Sequence, residues 1–277
     1  MAGVISASSA TSALAQDVSN GAQTPQPAPA PEAAAPKRVT VTTGLDFANA
    51  YFFRGIKQQS GGAIAQPYFD VGVATPGGVT FNFGNWDSLH SKSSAGHWYE
   101  SDYYASVTFT AGKAKPGLLY TSYTSPADLF ATVHELAGVL SFDDSANAVP
   151  VSPKIIVAFE LTDGQADAGT SKGVYLEAGI KPALQLAPKA TLLFPIKAGL
   201  SLKDYYEGIA LAGTADNDGF GYFDTGVQLS VPAFSGSGGT LEIHGGLDIL
   251  WLGRNLKTLN GGDRAKPIAL VGFTYSY

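Results

Sequence analysis

The chain ends Pro267-Ile268-Ala269-Leu270-Val271-Gly272-Phe273-Thr274-Tyr275-Ser276-Tyr277. From Ala269 every second residue is apolar or aromatic: Ala269, Val271, Phe273, Tyr275 and Tyr277. From Gly272 the residues between them are small or polar, namely Gly272, Thr274 and Ser276. Period two marks a strand with unlike faces. Here the apolar face runs to the last residue with no polar tail. A bare aromatic edge strand invites aggregation in a soluble sheet. In a transmembrane barrel the last strand pairs with the first and its outer face lies in lipid.

The rest of the chain keeps this texture. Charged residues make up only 14%, against about 25% in ordinary soluble domains. Mean hydropathy is nevertheless only +0.06. No run of about 18 apolar residues exists, so helical spans are excluded. With 33 glycines and 13 tyrosines the composition suits strands that are apolar on one side. The absence of cysteine removes disulfides and thiolate metal sites, and a net charge of −6 argues against nucleic acid as a partner.

Residues 1–15 end in Ser12-Ala13-Leu14-Ala15, a small-residue pattern suited to cleavage before Gln16. With no Lys or Arg and a weak apolar core, the stretch reads equally as a signal-peptide remnant or as plain N-terminal chain. Residues 16–37, with Pro25, Pro27, Pro29, Pro31 and Pro36, cannot bury a core and read as an extended periplasmic tether. From residue 38 to 277, alternating segments separated by turns predict an all-β, antiparallel up-and-down transmembrane barrel of about twelve strands. The first strand is expected to run from Val39 to Phe53. Compact connections (75–78, 112–117, 143–153, 182–189, 232–239) alternate with mostly longer ones (54–62, 87–97, 124–129, 162–172, 202–219, 252–266), as periplasmic turns alternate with outer loops.

The stretch Tyr51-Phe52-Phe53-Arg54-Gly55-Ile56-Lys57-Gln58 resembles a signature of the TorF-type, or Gcw_chp, family of Gram-negative outer-membrane porins. That family carries Tyr-x-Phe-Arg-Gly-x-Ser-Gln at the end of its first strand, so Lys57 departs from the pattern. The resemblance spans about residues 38–277 and implies an outer-membrane barrel with a pore function, but no particular solute.

If the apolar face meets lipid, the opposite face lines the lumen. Its acids are then Asp46, Asp70, Glu100, Asp102, Glu135, Glu160, Glu177, Asp224, Glu242 and Asp248, and its bases Lys181 and Lys197, with Arg54 at the outer rim. A Lys or Arg at the bilayer midplane costs about 2–4 kcal/mol, which by itself puts charges on one parity. The acidic excess predicts a mild preference for cations. Tyr68, Tyr104, Tyr175, Phe52 and Trp86 share the inward parity and can plug a small barrel. Tyr51, Phe53, Tyr99 and Trp251 are expected at the outer interface, and Phe142, Phe234, Tyr275 and Tyr277 at the inner one.

Catalysis is not expected. His244 lies between Glu242 and Asp248 on one face, where a carboxylate can orient its ring, but no serine sits in a nucleophile context. Asp216-Asn217-Asp218-Gly219 and Gly261-Gly262-Asp263 lack the closing Glu of a calcium loop and read as turns. No metal or cofactor is expected. The partners expected are outer-membrane lipid, small hydrophilic solutes or ions, and the barrel-assembly machinery, for which Phe273, Tyr275 and Tyr277 resemble the recognition signal. The alternative is a non-conducting barrel that binds through its outer loops or serves envelope structure.

Overall fold

The computed structural model describes residues 38–277 apart from 94–95, 162–165, 167–168, 170, 188–189 and 208–217. The signal and tether readings of residues 1–37 lie outside it. Its first strands are β1 (Val39–Ala48), β2 (Tyr51–Phe53), β3 (Ile56–Gln59), β4 (Ile64–Ala74), β5 (Val79–His90) and β6 (Trp98–Phe109). Then come β7 (Ala114–Thr124), β8 (Val133–Phe142), β9 (Lys154–Glu160), β10 (Val174–Ile180), β11 (Ala183–Ala187), β12 (Ala190–Leu193) and β13 (Ile196–Lys203). The chain closes with β14 (Phe220–Gly236), β15 (Gly239–Leu252), the short helix α1 (Arg254–Leu259) and β16 (Ala265–Ser276).

Each stave pairs antiparallel with its neighbours, and β16 returns to β1 with Leu45 opposite Phe273. Tyr277 N donates to Val41 O at 2.8 Å and Val41 N to Tyr277 O at 3.2 Å, so the terminal residue completes the closing ladder. Twelve staves make the closed barrel. Two of them are broken by proline. β10 and β11 are one stave interrupted at Lys181-Pro182, and β12 and β13 are one interrupted at Phe194-Pro195. Proline has no N–H to give the ladder. The two breaks sit side by side and are bridged, Phe194 N donating to Pro182 O at 2.9 Å and Gly226 N to Pro195 O at 2.9 Å.

The sequence expectations for the first stave and for several connections need correction, and the connection expected over 112–117 is strand from Ala114 onward. The connection expected over 182–189 contains the strand β11, and the one expected over 232–239 is strand as far as Gly236, with a bulge between Pro232 and Phe234 absorbing the proline. The first stave stops at Ala48 instead of reaching Phe53, because Tyr51, Phe52 and Phe53 are all buried and three consecutive apolar residues cannot satisfy a two-faced strand. Beyond it, β2 and β3 form a separate two-stranded hairpin.

Outside, the wall is apolar: Phe47, Phe69, Phe83, Tyr103, Leu118, Phe159, Leu229, Ile243, Val271 and Phe273 are all exposed. The buried side of the same staves carries the polar residues, the inverse of a soluble domain.

Candidate functional site: the lumen and its inturned hairpin

The ten carboxylates Asp46, Asp70, Glu100, Asp102, Glu135, Glu160, Glu177, Asp224, Glu242 and Asp248 are each 5% exposed or less. They lie inside the barrel. Lys197 is buried there too, its Nζ 3.9 Å from Asp224 Oδ2, and Lys181 is half-buried. Two further bases, Lys115 and Lys154, were not read from the sequence as lumenal. Both sit at the starts of their staves, at the end of the barrel that holds Val39 and Tyr277, and the connection expected over 112–117 hides Lys115 from a reading by parity.

A bore wide enough for water would leave these groups exposed. The lumen is instead filled, and its outer half is filled by the hairpin. Tyr51 is fully buried, donates from its hydroxyl to Glu100 Oε2 at 2.6 Å and packs 5.3 Å from Trp86. Phe53 meets Tyr123 edge-on at 5.1 Å. Tyr99, half-buried, stacks on His90 at 4.4 Å and donates to Gln58 of the hairpin. Tyr51, Phe53 and Tyr99 are therefore not interfacial residues: the outer loop that carries the first two folds inward and draws the third after it. Trp251, Phe142, Phe234 and Tyr277 are exposed on the wall or at its end, and Tyr275 is half-buried, donating to Gly238 O. Of the expected inward aromatics, Phe52, Tyr68, Trp86, Tyr104 and Tyr175 are all buried.

Arg54 is the centre of the plug rather than a rim residue. Its backbone (φ 47°) and that of Gly55 (φ 83°) are both left-handed, which makes the tight two-residue hairpin turn. That turn drives the guanidinium into the wall. Nη1 donates to Glu135 Oε2 at 2.6 Å and Nη2 to Glu135 Oε1 at 2.8 Å, a two-pronged charged pair. Nη1 also donates to Tyr205 Oη at 2.7 Å, and Cζ lies 4.0 Å from the centre of the Tyr175 ring. A latch from two other outer connections holds the backbone of the turn. Tyr206 Oη donates to Arg54 O at 3.0 Å, and Asn260, just past α1, gives Nδ2 to Gly55 O at 2.8 Å and takes Lys57 N at 3.0 Å.

Histidine 244 is buried as expected, but its partner is Asp46 Oδ1 at 2.7 Å, from a stave distant in sequence, rather than Glu242 or Asp248. Of the two calcium-like turns, positions 216–217 lie outside the described residues. Asp218 Oδ2 accepts Asn255 N at 3.2 Å, and Asp263 Oδ2 pairs with Lys266 Nζ at 2.6 Å. Among the described residues no group of His, Asp and Glu is arranged to hold a metal.

Apolar outside, polar inside and closed on itself, the chain is a transmembrane β-barrel of the kind that spans outer membranes. No protein-family model and no curated protein matches the sequence. Among solved structures it is similar to the NanC porin, with 11% identity over 86% of this chain and 98% of that one, at a TM-score of 0.49. It is also similar to an outer-membrane channel from Pseudomonas putida F1, with 10% identity, 88% and 97% coverage and a TM-score of 0.48. The KdgM porin gives 6% identity, 86% and 99% coverage and 0.47. At these scores the likenesses do not bear on function, and the barrel rests on its own ladders.

Proposed function

We propose that this protein is an outer-membrane channel for small hydrophilic solutes or ions, mildly preferring cations, and that the conformation described is its closed state. The observation that carries the reading is the chemistry of the buried lining. Among the described residues, both polar atoms of the Gln66 side chain, both of Gln228, and Asp248 Oδ1 are buried without a hydrogen bond to the protein. Leaving such a group unsatisfied costs about 1–3 kcal/mol, so a permanently dry interior has no use for several of them. A lumen that takes in water when the hairpin withdraws gives them partners. Its ten carboxylates outnumber Arg54, Lys115, Lys154, Lys181 and Lys197, so the field inside still favours cations. The family resemblance at Tyr51–Gln58 supports the same reading.

The test is conductance of refolded protein in a planar bilayer. Wild type should show rare, brief openings, and Arg54→Ala, which unclamps the hairpin, should be open most of the time. Openings should reverse at a potential that favours cations across a salt gradient. Silence of both proteins, each shown folded by its heat-modifiable band, would reject the channel. That outcome would favour the second reading, a non-conducting barrel acting through its outer loops, which the filling of the lumen itself supports.

A further inference from the structure

The groups that hold Arg54 belong almost entirely to the wall. Glu135 stands on β8, Tyr123 on β7 and Tyr175 on β10, while Tyr205 follows β13. Each also has a bond that does not involve the hairpin, through the side chain for Glu135, Tyr123 and Tyr175 and through the backbone for Tyr205. Tyr123 donates to Glu135 Oε1 at 3.3 Å. The Tyr175 hydroxyl donates to Glu177 Oε2 at 2.7 Å, and Tyr222 donates to the same oxygen at 2.6 Å. Tyr205 N donates to Ser201 Oγ at 2.9 Å. The hairpin, in contrast, pairs only with itself, and neither β2 nor β3 joins the ladder of the wall. The cage around Arg54 is therefore built by residues outside the hairpin.

The cage has a definite chemistry. A carboxylate presents both oxygens to a fork of N–H donors, a phenol oxygen accepts one more, and the centre of a tyrosine ring lies 4.0 Å from the carbon of the delocalised cation. That combination fits a planar guanidinium better than a compact ammonium, which can neither fork nor stack. We propose that this cage is a recognition site for solutes bearing a guanidinium group, and that Arg54 is its tethered occupant. The solute's own guanidinium takes the place of the Arg54 side chain while the hairpin is withdrawn. The proposal rests on the channel reading for its physiological use but not for its binding test.

The experiment is rescue of Arg54→Ala by methylguanidinium, with methylammonium as the control cation. Two readouts are taken on the full chain: the temperature at which the folded band is lost in detergent, and block of bilayer current. Methylguanidinium should raise the melting temperature of Arg54→Ala and close its channel, and it should do so about tenfold more effectively than methylammonium, the yield of one added charge-assisted hydrogen bond. Both effects should disappear in Arg54→Ala/Glu135→Gln. If Arg54→Ala does not fold, Arg54→Gln, which keeps a donor to Glu135, takes its place. Equal effects of the two cations, or equal effects with and without the Glu135 carboxylate, would overturn the proposal. Absence of current from every variant with the melting response intact would remove the channel reading and leave the cation site standing.

Discussion

His244 and Asp46 meet across a glycine. They stand on β15 and β1, with β16 between them, and His244 Nε2 lies 2.7 Å from Asp46 Oδ1. The residue beneath the contact is Gly272, where a Cβ would fall 2.1 Å from the Asp46 oxygen and 2.8 Å from the His244 nitrogen. The pair thus bonds the last two staves to the first from inside, beside the ladder that closes the barrel.

Gly272→Ala should part this pair and also press on the neighbouring stave, since its Cβ would fall 2.7 Å from the Leu45 carbonyl oxygen. The expected loss is about 1–3 kcal/mol of stability, typical of overpacking. It would be read as a lower urea midpoint for the folded, heat-modifiable form. In a double-mutant cycle, Asp46→Asn should cost much less in the Gly272→Ala background than in wild type. Additive losses would mean that the glycine serves something other than the pair.

Gly55 carries the opposite kind of constraint. Its φ of +83° disfavours any side chain, and a Cβ there would lie 2.5 Å from Leu256 Cδ1 of α1. Gly55→Val adds a β-branched residue to a left-handed position, costing about 1–3 kcal/mol of strain, and breaks the packing of the turn on the helix. The hairpin should leave the lumen while the wall, which does not contain it, stays folded. Bilayer recordings should show long openings. A variant that folds and stays closed would assign the gate to another element.

The wall was legible in the sequence because alternation is local. Asp46, Asp70, Glu160 and Asp248 can be put on one face from their immediate neighbours, and Phe83 and Phe273 on the other. The plug was not legible. Tyr51-Phe52-Phe53 has no parity to read, and the left-handed turn at Arg54 depends on Gly55 finding room against α1, some 200 residues on. The partners Arg54 and Glu135, or His244 and Asp46, are set by which staves face or neighbour one another once the ring is closed. Pro182 by itself reads as part of a turn while the alternation runs on through Pro195, and only side by side do the two prolines form a bridged break within two long staves.

Asp143, in the connection after β8, gives the protein a small acid-side dependence. Its carboxyl is held below the usual carboxylate range chiefly by the Ser145 hydroxyl at 2.6 Å, against some opposing effect of burial, with Ser145 N–H and Lys115 Nζ at 3.2 Å helping. A lowered folded value means that the contribution is full above the unfolded value of about 4 and is lost as pH falls below it. Ser145→Ala should therefore lower the melting temperature slightly at pH 7, with the gap to wild type closing at strongly acid pH. Because Asp143 is only partly buried, added salt should shrink the gap as well. A gap that persists unchanged in acid would separate the effect from the carboxylate.

Tyr277 should govern assembly rather than conduction. Its side chain is 50% exposed, beyond the last stave and away from the lumen, while its backbone makes the two final bonds to Val41. Deleting it removes both bonds and the terminal ring. Changing it to Asp keeps the backbone and replaces an amphipathic ring at the membrane interface with a charge. If the ring itself is what the assembly machinery reads, the two variants should lower the yield of folded barrel in the outer membrane to a similar extent. If the closing bonds matter more, only the deletion should do so. In either case the molecules that insert should conduct as wild type does, because nothing that lines the lumen has changed. Altered single-channel conductance in the survivors would show that closure of β1 on β16 shapes the lumen itself, and that the Asp46–His244 bond inside the same seam has moved with it.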